Sequence, residues 1–318
     1  MTKRQLDLDA VTFVGSDLVR PECVITTPAN ELFVSDFRGG VTLVQPDGNQ
    51  TLFAHKPGPG EFLLQTNGFA LEPEGSFLIA HLEDFRGGVF RLKRDRTVEP
   101  FLTEFQDQPL PPTNFVLRDR QGRVWITVST RVMPRTKTRT KDHADGFIIL
   151  VDDKGPRIVA EGLGFTNECR LDADQRHLYV NETFGRRVTR FTVEDDGSLQ
   201  DRRIVARFGP GTFPDGIEID RNGTLWITSI MSNRVILVDP DGHQEIILED
   251  ADQDFLMAFE QAYQTGALRD AAAPRNVPSR LLRNISSLAF STDGRSIYLG
   301  CLLGDRIAKY DVPWLDHG

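Results

Sequence analysis

Six segments of the chain follow one pattern, and that repetition limits the fold more than any other feature. Each segment opens on a polar head residue: Glu22, Asn67, Asn114, Asn167, Asp215 or Ser286. An apolar strand follows, as in Asn67-Gly-Phe-Ala-Leu71 and Asp215-Gly-Ile-Glu-Ile219, then a short turn and a second strand. Those second strands include Ser76-Phe-Leu-Ile-Ala80, Arg123-Val-Trp-Ile-Thr127 and Thr224-Leu-Trp-Ile-Thr228. Self-similarity at a period of about 45–50 residues predicts an all-β fold, a six-bladed β-propeller with one four-stranded blade per repeat. Closing the ring brings the six head residues to one mouth of the central channel. Carboxylates and amides converging there make a site for a hard, oxygen-seeking cation.

The repeat runs from about residue 20 to 311, so residues 1–318 are read as one domain. The last repeat lacks a fourth strand, and Ala10-Val-Thr-Phe-Val14 is a strand without a blade. Pairing the two closes the ring and leaves no exposed edges. Two insertions break the period, at residues 129–146 within blade 3 and 249–283 between blades 5 and 6. In the second, apolar residues at 255, 256, 259 and 263 predict a short helix that begins in an Asp-rich stretch and ends at Gly266. Strand direction puts both insertions over the mouth that holds the head residues, as lid and specificity elements. The pentapeptide Asp36-Phe-Arg-Gly-Gly40 recurs as Asp84-Phe-Arg-Gly-Gly88 and reads as a duplicated hairpin turn.

A net charge of −9 with no long basic tract argues against nucleic-acid binding. No apolar run reaches the roughly 20 residues of a membrane helix, and the N-terminus shows no secretory signal. Three cysteines at 23, 169 and 301 suit a reduced, cytoplasmic protein. The sequence has no Gly-x-Ser-x-Gly elbow, dinucleotide fingerprint, Walker motif or Cys-His-Asn signature.

Several motifs stand in blade order: Pro21-Glu22, Thr113-Asn114 with Asp119-Arg-Gln-Gly-Arg-Val-Trp-Ile-Thr127, Phe165-Thr-Asn167, and Phe213-Pro-Asp-Gly-Ile217 with Asp220-Arg-Asn-Gly-Thr-Leu-Trp-Ile-Thr228. With these, nearly the whole chain resembles the SMP-30/gluconolactonase/luciferin-regenerating-enzyme-like family of six-bladed propellers. The resemblance implies that Glu22, Asn114, Asn167 and Asp215 hold one divalent cation. An all-oxygen set without Cys or His favours calcium, magnesium or manganese over zinc, and calcium is the expected ion. Phe115 and Glu168 depart from the Asn-Asp and Asn-Gly pairs common in sugar lactonases of the group. Those departures bear on the substrate, not on the cation.

The expected activity is metal-dependent hydrolysis, the opening of a sugar-derived or other hydroxy-acid lactone. Asp215 would be the catalytic residue, as general base or nucleophile. The ends of the second strands, Asp36, His81, Val128, Glu182, Ser229 and Cys301, are expected to ring the same mouth. Asn67, His81, Glu182 and Arg131 are the candidate substrate-binding residues. The basic stretch Arg131, Arg135, Lys137, Arg139 and Lys141 would form a rim attracting an anionic small-molecule substrate. Two alternatives remain open. The same metal centre could serve organophosphate hydrolysis, isomerisation or elimination, or the propeller could bind ligands without catalysis.

Overall fold

Second strands in this sequence are apolar without alternation, as a strand covered on both faces requires. The computed structural model describes residues 4–58, 62–271 and 276–315 and shows that arrangement. Among the described residues, six four-stranded antiparallel sheets form the blades. They span 24–54, 66–102, 113–163, 166–207, 213–248 and 285–311. The second strands Phe77–His81 and Val124–Val128 are buried at every position. The outermost strands, such as Gln50–Ala54 and Val98–Leu102, face solvent along much of their length. The last sheet takes its outer strand from the N-terminus: Thr12 pairs with Lys309, Phe13 with Ala308 and Val14 with Ile307.

The repeated Asp-x-x-Gly-x-x-Trp motif is a turn bolted to the strand that follows it. Asp119 accepts hydrogen bonds from the Arg123 backbone N–H at 2.9 Å and from Trp125 Nε1 at 3.0 Å. Asp220 does the same for Thr224 N and Trp226 Nε1, both at 3.0 Å. One carboxylate thus satisfies the turn's backbone and the buried indole together, which explains why Asp and Trp recur six residues apart.

Five of the six inner strands carry a register shift at or beside the head residue. The shifts fall between Thr66 and Phe69, Thr113 and Phe115, Thr166 and Cys169, Pro214 and Ile217, and Ile285 and Leu288. A bulge re-aims a side chain that a regular strand would point into a sheet face. Here it frees Asn114, Asn167 and Asp215 from the alternation of their strands.

Side-chain hydrogen bonds also run around the axis from each blade to the next. Arg20 Nη1 donates to Asn67 Oδ1 at 2.8 Å, and Asn67 Nδ2 to Asn114 O at 2.8 Å. Ser129 Oγ donates to Thr166 O at 2.9 Å, and Asn181 Nδ2 to Asp215 O at 3.0 Å and Gly216 O at 2.9 Å. Thr228 Oγ1 donates to Ser286 O, and Ser286 Oγ closes the circle on Glu22 O at 2.9 Å. The close approach needed for this ring fixes Gly216, where a Cβ would stand 2.2 Å from Ser286 O.

The helix α1 (Gln253–Thr265) lies in the insertion between blades 5 and 6. Asp252 caps it by accepting from Phe255 N at 2.8 Å, and Gly266 ends it at φ 77°. Its Leu256 and Tyr263 pack into a cluster with Phe165, Phe184, Phe213 and Met231. Arg186 stacks on Phe213 and Tyr263, at 4.2 and 4.1 Å from the ring centroids, and pairs with Glu260. No helix among the described residues is long and apolar enough to cross a membrane.

Candidate active site

Bulged strands, the turn before blade 1 and both insertions surround one cavity of about 630 Å³. Of the six head residues, Glu22, Asn114, Asn167 and Asp215 line it. Asn167 Nδ2 donates to Thr183 Oγ1 at 2.9 Å and to Asp215 Oδ1. Asn114 Nδ2 donates to Ser129 Oγ at 3.3 Å. With their amino groups so engaged, both amides leave Oδ1 buried and without a hydrogen-bond partner. Two buried carbonyl oxygens lacking donors, next to two carboxylates, are what an oxygen-ligated cation would satisfy. The residues present therefore fit a divalent cation held by Glu22, Asn114, Asn167 and Asp215. Among the described residues no three His, Cys, Asp or Glu side chains cluster as a metal site.

The electrostatics point the same way. Burial pushes the Asp215 carboxyl well above its ordinary range, with Glu22 and Glu168 pushing further against Arg20 and Arg135. Glu22 is held by an ion pair with Arg20, whose backbone sits in the left-handed region at φ 49°. Glu168, next to Asn167, is enclosed, and burial raises its carboxyl to about 7 against the opposing charge of Arg170. Its Oε2 accepts from the Ile217 N–H at 3.2 Å, tying blade 4 to blade 5.

The four expected substrate contacts lie elsewhere. Asn67 is 1% exposed, with both ends of its amide used in the interblade ring. His81 is enclosed between Phe62 and Phe90, its Nδ1 accepts from Gln65 N at 3.0 Å, and burial lowers its pKa. Glu182 is consumed by Arg187, Thr189 and the Gly164 N–H. Arg131 is exposed, stacked 4.2 Å from the Phe147 ring centroid and paired with Glu161 at 3.2 Å. None of the four lines the cavity. The second-strand ends in general do not ring the mouth. Asp36 accepts from Arg38 and Thr42, and Cys301 Sγ lies against Arg306 O at 3.5 Å. All three cysteines are buried and free, and burial raises each thiol, Cys169 and Cys301 to about 12.

Three arginines occupy the polar rim instead: Arg20, Arg135 and Arg139. The last two come from the 129–146 insertion, whose short helical turn Arg135–Thr138 packs against residues of the second insertion. The same cavity is lined by an apolar set of Phe165, Phe184, Phe213, Phe259, Ile230, Met231, Leu302 and Leu303. Phe259 from α1 confirms that both insertions contribute to the cavity. The wall and Glu168 carried no distinguishing sequence signal, because buried aromatics and strand acids occur throughout the chain. Arg20 did have one, its place before Pro21-Glu22.

Known proteins resemble this chain in sequence and in fold. A 6-deoxy-6-sulfogluconolactonase of Pseudomonas putida is 24% identical over 177 residues, 55% of this chain and 57% of the relative. Diisopropyl-fluorophosphatase of Loligo vulgaris is 22% identical over 231 residues, 70% of this chain and 58% of the relative. The chain thus spans a little over half the length of these two relatives. The solved structure of a gluconolactonase from Xanthomonas campestris superposes with a TM-score of 0.69 at 20% identity, covering 98% of this chain and 96% of that one. The SMP-30/gluconolactonase/LRE-like region model matches residues 20–261, and the chain belongs to that family.

Proposed function

We propose that the protein is a divalent-cation-dependent lactonase, with Glu22, Asn114, Asn167 and Asp215 as the cation ligands and calcium as the ion. One observation carries the reading: four oxygen-bearing head residues share one cavity, two of them with unpartnered buried carbonyl oxygens. A bound cation would polarise the lactone carbonyl and offset the negative charge that develops on its oxygen.

The remaining chemistry belongs to side chains of this protein. Asp215 takes a proton from the attacking water, whose oxygen bonds to the acyl carbon as the ring C–O bond breaks and the proton passes to the released alkoxide. Alternatively its carboxylate attacks that carbon, the ring alkoxide leaves and is protonated by water, and a second water hydrolyses the resulting anhydride. The amide of Asn167 donates to Asp215 Oδ1 and so fixes the carboxylate's orientation. Arg20 holds Glu22 in place through its ion pair. The apolar wall limits water in the cavity, which strengthens each of these charge interactions. Support also comes from the lactonase names of the Pseudomonas relative and the Xanthomonas structural neighbour.

The test is acid release from a panel of lactones by chelator-stripped protein, with calcium, magnesium, manganese and zinc added back singly. Ring opening restored by a cation and lost in Asp215→Asn is the expected result. The Loligo relative favours a second reading, hydrolysis of a phosphoric ester or fluoride at the same centre. Metal-dependent turnover of a phosphorofluoridate, with no lactone opened, would select it.

A further inference from the structure

Building on the lactonase reading, we propose that Arg135 and Arg139 form an anion subsite, and that the substrate carries a carboxylate or sulfonate besides its lactone ring. Several partly buried arginines of this chain are paired with acids: Arg20 with Glu22, Arg186 with Glu260, Arg187 with Glu182 and Arg234 with Glu249. Arg135 and Arg139 line the cavity, and among the described residues their guanidinium groups make no hydrogen bond or ion pair, although neither residue is fully exposed. The Arg135 guanidinium lies 5.9 Å from the centroid of the Phe165 ring.

The cations also crowd one another. Burial, then the charges of Arg20 and Arg139, lower Arg135 to about 10, and burial lowers Arg139. Half-buried guanidinia beside like charges are costly to hold unless an anion joins them. Asp84 is the acid whose charge opposes that lowering at Arg139. Glu22 and Asp215 oppose the lowering at Arg135, and the bound cation would engage both. Phe184, Phe213 and Phe259, which line the same cavity, offer no donor or acceptor from their side chains. A substrate seated there finds its polar anchor in the two forked guanidinium groups, whose geometry suits a planar carboxylate or a sulfonate.

The test uses matched substrates on the metal-loaded protein: a γ-butyrolactone carrying a methyl group, and the same ring carrying a carboxymethyl or sulfomethyl group. The subsite predicts that kcat/KM favours the charged rings by about tenfold or more, chiefly through KM. Arg135→Gln and Arg139→Gln should each collapse that ratio, and Arg135→Lys should keep part of it. Lys137→Gln, exposed on the same helical turn, should not change the ratio, and added salt should lower it. The two arms with different anions show which one the subsite prefers.

Calorimetric binding of cyclopentylacetate, which has the charge but no ester, provides a readout independent of turnover. Equal kcat/KM for neutral and charged rings, or a ratio that survives both Gln substitutions, overturns the proposal. Cyclopentylacetate binding insensitive to both substitutions also overturns it, because the carboxylate would then sit elsewhere. Binding that weakens in Arg135→Gln without turnover of any ring would refute the lactonase reading and retain the anion subsite.

Discussion

Replacing Glu168 with Gln should stabilise the cation-free protein, and by an amount that depends on pH. In the folded chain burial raises this carboxyl from its ordinary 4.5 to about 7. At about 1.4 kcal/mol per pH unit, that displacement is worth about 3 kcal/mol. Below pH 4.5 the group is protonated in folded and unfolded chains alike, so it carries no penalty. From pH 4.5 to 7 the unfolded chain ionises first, and the penalty grows; above pH 7 it is constant. The amide of Gln keeps an acceptor for the Ile217 N–H and has no charge to desolvate. Urea unfolding in chelator should therefore show the two proteins equal near pH 4 and the variant ahead by about 3 kcal/mol at pH 8. Adding calcium should narrow the gap at pH 8, since a cation at Asp215 favours the ionised form of its neighbour. A variant less stable than the parent at pH 8, or a difference that does not vary with pH, would refute the reasoning.

The blade repeat, the closing strand and the helix with its cap at Asp252 and stop at Gly266 were all legible because each rests on a local rule. Period-2 and period-3.6 patterns, turn residues and capping chemistry are written within a few positions of where they act. The four head residues were legible for a related reason: a polar residue at the start of an apolar strand recurs at blade spacing. Asn67, His81, Glu182 and Arg131 were misplaced because their environment is set by distant residues. Asn67 is tied to Arg20 and Asn114, which lie 47 positions to either side. Glu182 and Asp36 fold back onto arginines and threonines at the start of the third strand. Regular strands continued to the mouth leave out the bulges beside Asn114, Asn167 and Asp215, which line the cavity while the second-strand ends stay packed. The basic insertion is visible in the sequence, but which of its arginines line the cavity depends on packing that no spacing rule encodes.

Three further outcomes follow from the same structure. Gly216→Ala should destabilise the fold by about 3 kcal/mol in urea unfolding, because its methyl meets Ser286 O and the Ser287 Cα, and relief would require separating blades 5 and 6. Asn181→Ala strips donors from Asp215 O and Gly216 O; it should cost about 1–3 kcal/mol and weaken calcium binding as well, which thermal melts with and without calcium will show. Partial burial raises Glu260, but donors from Arg186, Gln264 and the Gly211 N–H outweigh it and hold the carboxyl at about 2. Its stabilisation is fully present above pH 4.5 and is lost as pH falls through 2. Glu260→Gln should therefore lower the melting temperature at pH 6 and converge with the parent near pH 2.

The central claim is that four residues from four blades hold one cation, and calcium titration into chelator-stripped protein tests it most directly. The account predicts one calcium per chain, with affinity falling at least about tenfold in Asp215→Asn and in Glu22→Gln. Calcium binding absent from the parent, or equally tight in both variants, would contradict it.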